Sequence, residues 1–356
     1  MPQQPVKRIA FYAGSAIPFH ARTLEERPLG GTETGVIRVA ALLVERGFDV
    51  TVFTSHKNPP PSQPRYLPAS EVLKQGVFDL LVLVQEWKPC LFNLPASRVW
   101  FWTGDGPEQY SNYGIGDKRV WARLERLLTV SNYHAESLAT YSGFPREKIS
   151  IVGNGVWLAW FEGSEARVRQ RLIFTSAPYR GLQFVAPMYV ELKKRHPQLE
   201  LHSFSGMSVY DREKPFEGPH VAQYRATAQQ LEKLPGVVLH GNVLQSALAR
   251  EYMKSALFFY PASVPETCCM TALEAQAGGC ALVTSALGAL PETVGESGIV
   301  VQGQPGSAPF QANFIEATHS LLSDDALWER CTKYARERAL REHAWEKVAD
   351  RMQGLM

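Results

Sequence analysis

The chain predicts an α/β fold made of two Rossmann-like, doubly wound parallel-sheet domains, and three observations carry that expectation. Runs such as Phe78–Val84 and Ala256–Tyr260 are almost continuously apolar, as in parallel strands covered on both faces. Segments with helical periodicity alternate with such runs along most of the chain. The 356 residues, 45% hydrophobic and 11% aromatic, suffice for two ordinary cores.

Charge and cysteine content narrow the function classes. The formal net charge is +2 and, apart from short clusters such as Lys193-Lys194-Arg195, basic residues are scattered, so no nucleic-acid partner is expected. Cys90, Cys268, Cys269, Cys280 and Cys331 show no paired metal-ligand spacing, and their odd number without a secretory leader fits reduced thiols in a cytoplasm. No apolar run approaches ~18 residues, so no membrane span is expected, and peripheral contact with an inner membrane surface stays open.

After a polar, proline-containing tail, Arg8–Gly14 reads as the first strand. A loop to Leu29 precedes Gly30-Gly31-Thr32-Glu33-Thr34-Gly35, and Val36, Val39, Ala40, Leu42 and Leu43 then share one face of a helix ending near Gly47. Val50–Thr54 is the next strand. This βαβ unit lacks both the G-x-G-x-x-G fingerprint and an acidic residue ending its second strand, which argues against a nicotinamide cofactor. Lys57–Pro68 is proline-rich and reads as a surface loop. Ligands of open parallel sheets bind beyond the carboxyl ends of the strands, so Gln85, Glu86 and Trp87, which follow strand Phe78–Val84, are candidate acceptor-site residues. Strand Arg98–Thr103 delivers Gly104-Asp105 to the same edge. Two readings of Asp105 stay open: a carboxylate that orients or deprotonates an acceptor hydroxyl, or a cap on a short helix starting near Pro107. Leu127–Tyr133 is a strand running into a helix capped by Ser131. Asn154-Gly155 reads as a turn, and the polar stretch Glu162–Gln170 beyond it supplies a linker, so a first domain is expected over residues 1–155 and a hinge over 156–170.

The second domain is expected over 171–340. It opens on strand Arg171–Ser176, then Ala177-Pro178-Tyr179-Arg180-Gly181-Leu182 and a helix to about Arg195. Strand Leu199–Phe204 ends in the turn Ser205-Gly206, and Met207–Ala222, mixed in charge, Pro and Gly, reads as a loop. Val237–Val243 gives a strand and turn before a helix led by Leu244. Helical segments around Phe310–Leu322, Asp325–Arg341 and Trp345–Met352 close the chain.

Pro265 to Gly279 is the most informative stretch. Strand Ala256–Tyr260 precedes it, and helix-forming residues Met270–Ala277 end at Gly278-Gly279. Glu266 falls in the loop at or just before the helix start. Glu274 comes eight positions later, about two turns at ~3.6 residues per turn, so both carboxylates can face one side. Between them, the amides of Thr267, Cys268, Cys269, Met270 and Thr271 include the first-turn N–H groups that, with the helix dipole, suit a phosphate. An anion cradle flanked by two hydroxyl-binding carboxylates describes a nucleotide sugar. The plainer alternative is a dipole-complementing Glu at the helix start and a second one on the surface.

Taken with Ala281–Thr284, Ser285 and Leu290–Val294, the segment Glu266–Val294 resembles the donor-binding region of family 4 glycosyltransferases, marked by two Glu separated by seven residues. The resemblance covers most of the chain and is strongest over 126–156 and 237–300. It implies a GT-B fold: two Rossmann-like domains facing a central cleft, with a C-terminal helix over 341–356 returning to the first. It also implies transfer of a sugar from a nucleoside diphosphate donor with retention at the anomeric carbon. By the same resemblance, Glu266 holds the donor sugar's hydroxyls and Glu274 the ribose, while Gly30 and Gly31 admit the diphosphate. Gly206, Asn242 and Val243 lie near the base or ribose. Arg180-Gly181 matches the family's Lys-Gly, making Arg180 the cation for charge growing on the β-phosphate. The family's upstream Arg is missing, with Thr175 and Ser176 near its place as candidate hydroxyl donors. A His usual near Asp105 is not beside it in the sequence. No Asp-x-Asp motif occurs, which suits metal-independent catalysis, and no permanently bound cofactor is expected. The expected function is retaining transfer to a glycan, lipid-linked or small-molecule acceptor. A catalytically inactive sugar-nucleotide-binding subunit is the alternative, and a nicotinamide-dependent oxidoreductase a more distant one.

Overall fold

The computed structural model describes residues 7–210, 217 and 219–356. The N-terminal tail before residue 7, and residues 211–216 and 218 of the expected 207–222 loop, lie outside the described residues. The chain divides into two compact units, one running to Gly155 and including Trp345–Met356, the other Val156–Ala344.

The first unit opens with β1 (Arg8–Ala13), α1 (Thr23–Glu26), α2 (Gly31–Glu45), β2 (Asp49–Thr54) and β3 (Arg65–Pro68). It continues with β4 (Phe78–Val84), β5 (Ala96–Trp102), α3 (Lys118–Trp121), β6 (Arg126–Thr129), α4 (Asn132–Ser142) and β7 (Ile149–Ile151). The seven strands form one parallel sheet in the order β3-β2-β1-β4-β5-β6-β7. Sandwiched central strands explain the apolar runs: Phe11, Val82 and Trp100 have no exposed surface. The Asp79 carboxylate accepts the amides of Lys7 and Arg8, each at 2.8 Å, and so ties the start of β1 to β4.

Arg65–Pro68, expected as loop, is a strand. It sits at the sheet edge, where proline is tolerated because no outer partner needs its missing N–H, and Tyr66 anchors it by packing edge-on against Phe19.

The second unit comprises β8 (Val168–Phe174), α5 (Val185–Arg195), β9 (Glu200–Ser203), α6 (Pro219–Leu231), β10 (Val237–Leu239) and α7 (Gln245–Lys254). Then come β11 (Ser255–Tyr260), α8 (Met270–Ala277), β12 (Ala281–Ser285), α9 (Leu290–Val294), β13 (Gly298–Val301), α10 (Ala308–Ser323) and α11 (Asp325–Glu342). Its parallel sheet has the order β10-β9-β8-β11-β12-β13. The expected linker over 156–170 is shorter than its polarity suggests. Phe161 is buried in this unit's core, and β8 already begins at Val168. Polar side chains at the strand start find partners, as in the Arg169 guanidinium lying 4.5 Å from the Trp328 ring.

The final helix, α12 (Trp345–Gln353), belongs to the first unit, and residues 341–342 still belong to α11. Trp345 is buried against α2. A Cβ on Gly35 would lie 3.2 Å from its ring and one on Gly155 2.5 Å, so two glycines make its socket. The ion pair Arg46–Asp350, at 2.6 Å, adds a polar tie. Among the described residues no helix is long and apolar enough to cross a membrane.

Candidate functional site

In the second unit the candidate residues gather at the carboxyl ends of β8, β9, β10 and β11. Glu266 is buried, and Arg180 Nη1 donates to both of its carboxylate oxygens at 3.0 Å. The Tyr260 hydroxyl, at the end of β11, donates to Glu266 Oε1 at 2.5 Å, and Ser176 Oγ donates to the same tyrosine oxygen at 3.2 Å. The Glu266 carboxylate raises the Arg180 pKa further above its ordinary value, so the cation is permanent. Burial and the same carboxylate hold the Tyr260 phenol protonated.

Two glycines position this group. Gly181 (φ +139°) follows Arg180, and a Cβ there would lie 2.3 Å from the Pro261 carbonyl oxygen. Gly288 (φ +62°) pairs with Glu266 in an isolated bridge, and a Cβ there would lie 2.3 Å from the Glu266 carbonyl oxygen.

Glu266 and Glu274 do not share one helix, contrary to the two-turn spacing expected from the sequence. Helix α8 starts at Met270, so Glu266 lies outside it and is placed by the bridge to Gly288 rather than by two helical turns. Glu274 is on the helix and buried rather than on the surface, with the Tyr252 hydroxyl donating to it across 3.5 Å. Desolvation pushes its carboxyl up to about 7. Tyr252 in turn shares a 2.7 Å hydrogen bond with Thr175. At the helix start, Cys269 is the capping position, with its sulfur 3.3 Å from the Thr271 hydroxyl, and burial pushes its thiol pKa up. Thr267 and Cys268 lead into it, half-buried, while Met270 and Thr271 form the first turn, whose N–H groups lack intrahelical partners.

Gly206 and Asn242 are brought together: a Cβ on Gly206 would lie 2.7 Å from Asn242 Oδ1, which accepts from Ser208 at 2.8 Å. Val243 packs on the core beside them.

In the first unit Gly30 caps α2 and Gly31 opens it. Glu33 folds back beneath Gly30 to accept the Ile17 amide at 3.1 Å, and a Cβ on Gly30 would meet its Oε2 at 2.8 Å. Gln85, Glu86, Trp87 and Asp105 line one cavity of about 260 Å³ beyond β4 and β5. Asp105 Oδ1 accepts from Gln85 Nε2 at 3.0 Å and Oδ2 from Ser111 Oγ at 2.5 Å. The capping reading of Asp105 falls away, because the short helical turn that follows, Tyr110–Asn112, is led by Gln109, and the Asp105 carboxylate accepts from the side chains of Gln85 and Ser111 instead. A histidine does stand beside it in space. Buried His134 donates from Nε2 to the Asp105 carbonyl oxygen at 2.7 Å and accepts the Val130 amide at Nδ1 at 3.4 Å. Desolvation lowers its pKa to about 4, so it is neutral and braces the turn.

Sequence reasoning missed Tyr260, Tyr252, Ser111 and His134. Tyr260 ends an apolar run that reads as core, and Tyr252 lies on the buried face of the amphipathic helix α7. Only the strand-end position of Tyr260 could have signalled a site.

Residues 176–338 match the family model of glycosyl transferases group 1. That stretch contains Ser176, Arg180, Glu266 and Glu274. The match spans just under half of the chain and falls within the second unit. A D-inositol 3-phosphate glycosyltransferase from Streptomyces bingchenggensis is 28% identical over 261 residues, covering 69% of this chain and 55% of that one. The chain thus spans about half the length of the curated relatives it matches. Among solved structures, sucrose-phosphate synthase from Thermosynechococcus elongatus aligns over 98% of both chains with a TM-score of 0.73 and 18% identity. Anabaena Alr3699/HepE, solved with UDP-glucose, aligns over 98% of both with a TM-score of 0.71 and 14% identity. The fold of the chain, two parallel-sheet α/β domains, is GT-B.

Proposed function

We propose that this protein is a retaining glycosyltransferase that moves a sugar from a nucleoside diphosphate donor to a hydroxyl of an acceptor. The observation that carries the proposal is the buried Arg180–Glu266–Tyr260 group beside the first turn of α8, with Glu274 buried along the same helix. As the sugar leaves, charge grows on the β-phosphate. The Arg180 side chain is 31% exposed, so its remaining N–H groups and the α8 amides can meet that charge. Glu266 accepts from the donor sugar's hydroxyls and Glu274 from the ribose. Asn242 and Gly206 border the base, and Asp105 orients or deprotonates the acceptor hydroxyl. The departing phosphate guides attack from the same face, which gives retention. UDP-sugars are the first donors to test, given the UDP-glucose bound by the Anabaena neighbour.

One observation favours a second reading, a sugar-nucleotide-binding subunit without catalysis. The Arg180 charge is countered by Glu266, and hydroxyl residues stand where the family carries a second Arg. A thermal-shift screen of the purified chain with UDP, GDP, ADP and TDP sugars, followed by donor consumption, separates the two. Selective stabilisation with consumption that Glu266→Gln abolishes supports the enzyme. Stabilisation without consumption supports the binding subunit, and neither response overturns both.

A further inference from the structure

We infer that the cavity beyond β4 and β5 selects an uncharged, polyhydroxylated ring as the acceptor and discriminates against phosphate esters. The inference rests on the glycosyltransferase reading, with the acceptor bound in the first unit.

Size is the first argument. At about 260 Å³ the cavity falls below the ~300–1,000 Å³ of pockets for drug-sized ligands, so it suits a single ring. Wall chemistry is the second. Trp87 and Tyr110 supply apolar surface of the kind that packs on the C–H face of a sugar. Asp105, held by Gln85 and Ser111, presents a carboxylate to the cavity as an acceptor for hydroxyl protons. Gln85 adopts φ +52°, the one left-handed non-glycine backbone among the described residues, a costly conformation that aims its amide N–H at Asp105. Its Oε1 stays available to a ligand hydroxyl.

Charge is the third argument and it decides the class. Two carboxylates, Glu86 and Asp105, line the cavity against one ammonium, Lys88, and no arginine does. Glu86 makes no hydrogen bond or ion pair among the described residues, and its field raises the Tyr12 pKa, second to burial. The Lys88 ammonium is engaged by the Tyr110 hydroxyl at 2.5 Å and lies 4.4 Å from that ring. A phosphate entering here meets net negative charge, whereas neutral hydroxyls meet acceptors. Like-charge juxtaposition of this kind rejects the wrong ligand.

The test uses the full chain and matched pairs: glucose with glucose 6-phosphate, mannose with mannose 6-phosphate, and myo-inositol with its monophosphate. Binding is measured by calorimetry, and donor consumption is measured with each compound. The expected result is at least one pair whose neutral member binds tenfold or more tightly than its ester. Glu86→Lys should shrink that ratio at least fivefold by strengthening ester binding, with Glu86→Gln as the milder variant should the first fail to fold. Equal or tighter ester binding, no binding by any neutral member, or a ratio indifferent to both Glu86 variants overturns the inference. Donor consumed preferentially with the esters also overturns it and leaves the transferase reading standing. A neutral preference with no donor consumed upholds the cavity's selection of neutral rings and removes the acceptor role together with the transferase reading.

Discussion

Burial gives Glu274 its distinctive chemistry, since desolvation lifts its carboxyl from 4.5 to about 7. Because the folded-state value is raised, the stability carried by the protonated form is complete below the ordinary carboxyl range and is lost as pH climbs through about 7. Glu274→Gln keeps a neutral group at every pH. Between pH 5 and 8 the Tm of the variant should therefore gain several degrees on wild type, equivalent to roughly 3 kcal/mol at ~1.4 kcal/mol per tenfold in proton affinity. Parallel Tm curves would contradict the raised value. The same variant should bind the donor more weakly, and an unchanged calorimetric Kd would remove the ribose role. Tyr260→Phe deletes a hydroxyl that donates to a buried carboxylate, so unfolding by denaturant should show a loss of about 1.5–3 kcal/mol together with a lower kcat. Glu266 and Glu274 were legible because carboxylates are rare in apolar surroundings and stand out in a sequence. Tyr260 and Tyr252 were not, since one hydroxyl at the rim of a packed segment leaves the hydrophobic pattern unchanged.

At the scale of elements, the loop from β11 to α8 decides where Glu266 sits, and it is held by backbone rather than by helix geometry. Gly288→Ala would force a Cβ against the Glu266 backbone at a positive φ. It should cost roughly 1–3 kcal/mol. Donor turnover should fall further than stability alone explains, read as kcat at a temperature where the variant remains folded; wild-type kcat would show that the bridge does not position Glu266. Strong patterning made β4 and α8 readable to the residue, because a seven-residue run apolar except for Asp79 and a helix ended by paired glycines leave little choice. The edge strand β3 was hidden by its prolines. The start of β8 was hidden by arginines whose partners, such as Trp328, are far away in the chain.

At the scale of the molecule, two apolar cores were legible because each half carries its own alternation of strand and helix. The assignment of α12 to the first unit follows from a nonlocal fit, the Trp345 ring against Gly35 and Gly155, which local spacing alone does not reveal. Trp345→Ala should cost about 3–5 kcal/mol and raise hydrogen exchange in α2. Unchanged exchange there would show that α2 does not depend on the ring. The central proposal, retaining transfer at the Arg180–Glu266 site, is tested most directly by proton NMR of a UDP-sugar incubated with the full chain and a neutral sugar acceptor. Retaining transfer predicts a new anomeric signal with the coupling of the donor's own configuration, present with wild type and absent with Glu266→Gln. An inverted anomeric signal, or the same product signal from Glu266→Gln, would contradict it.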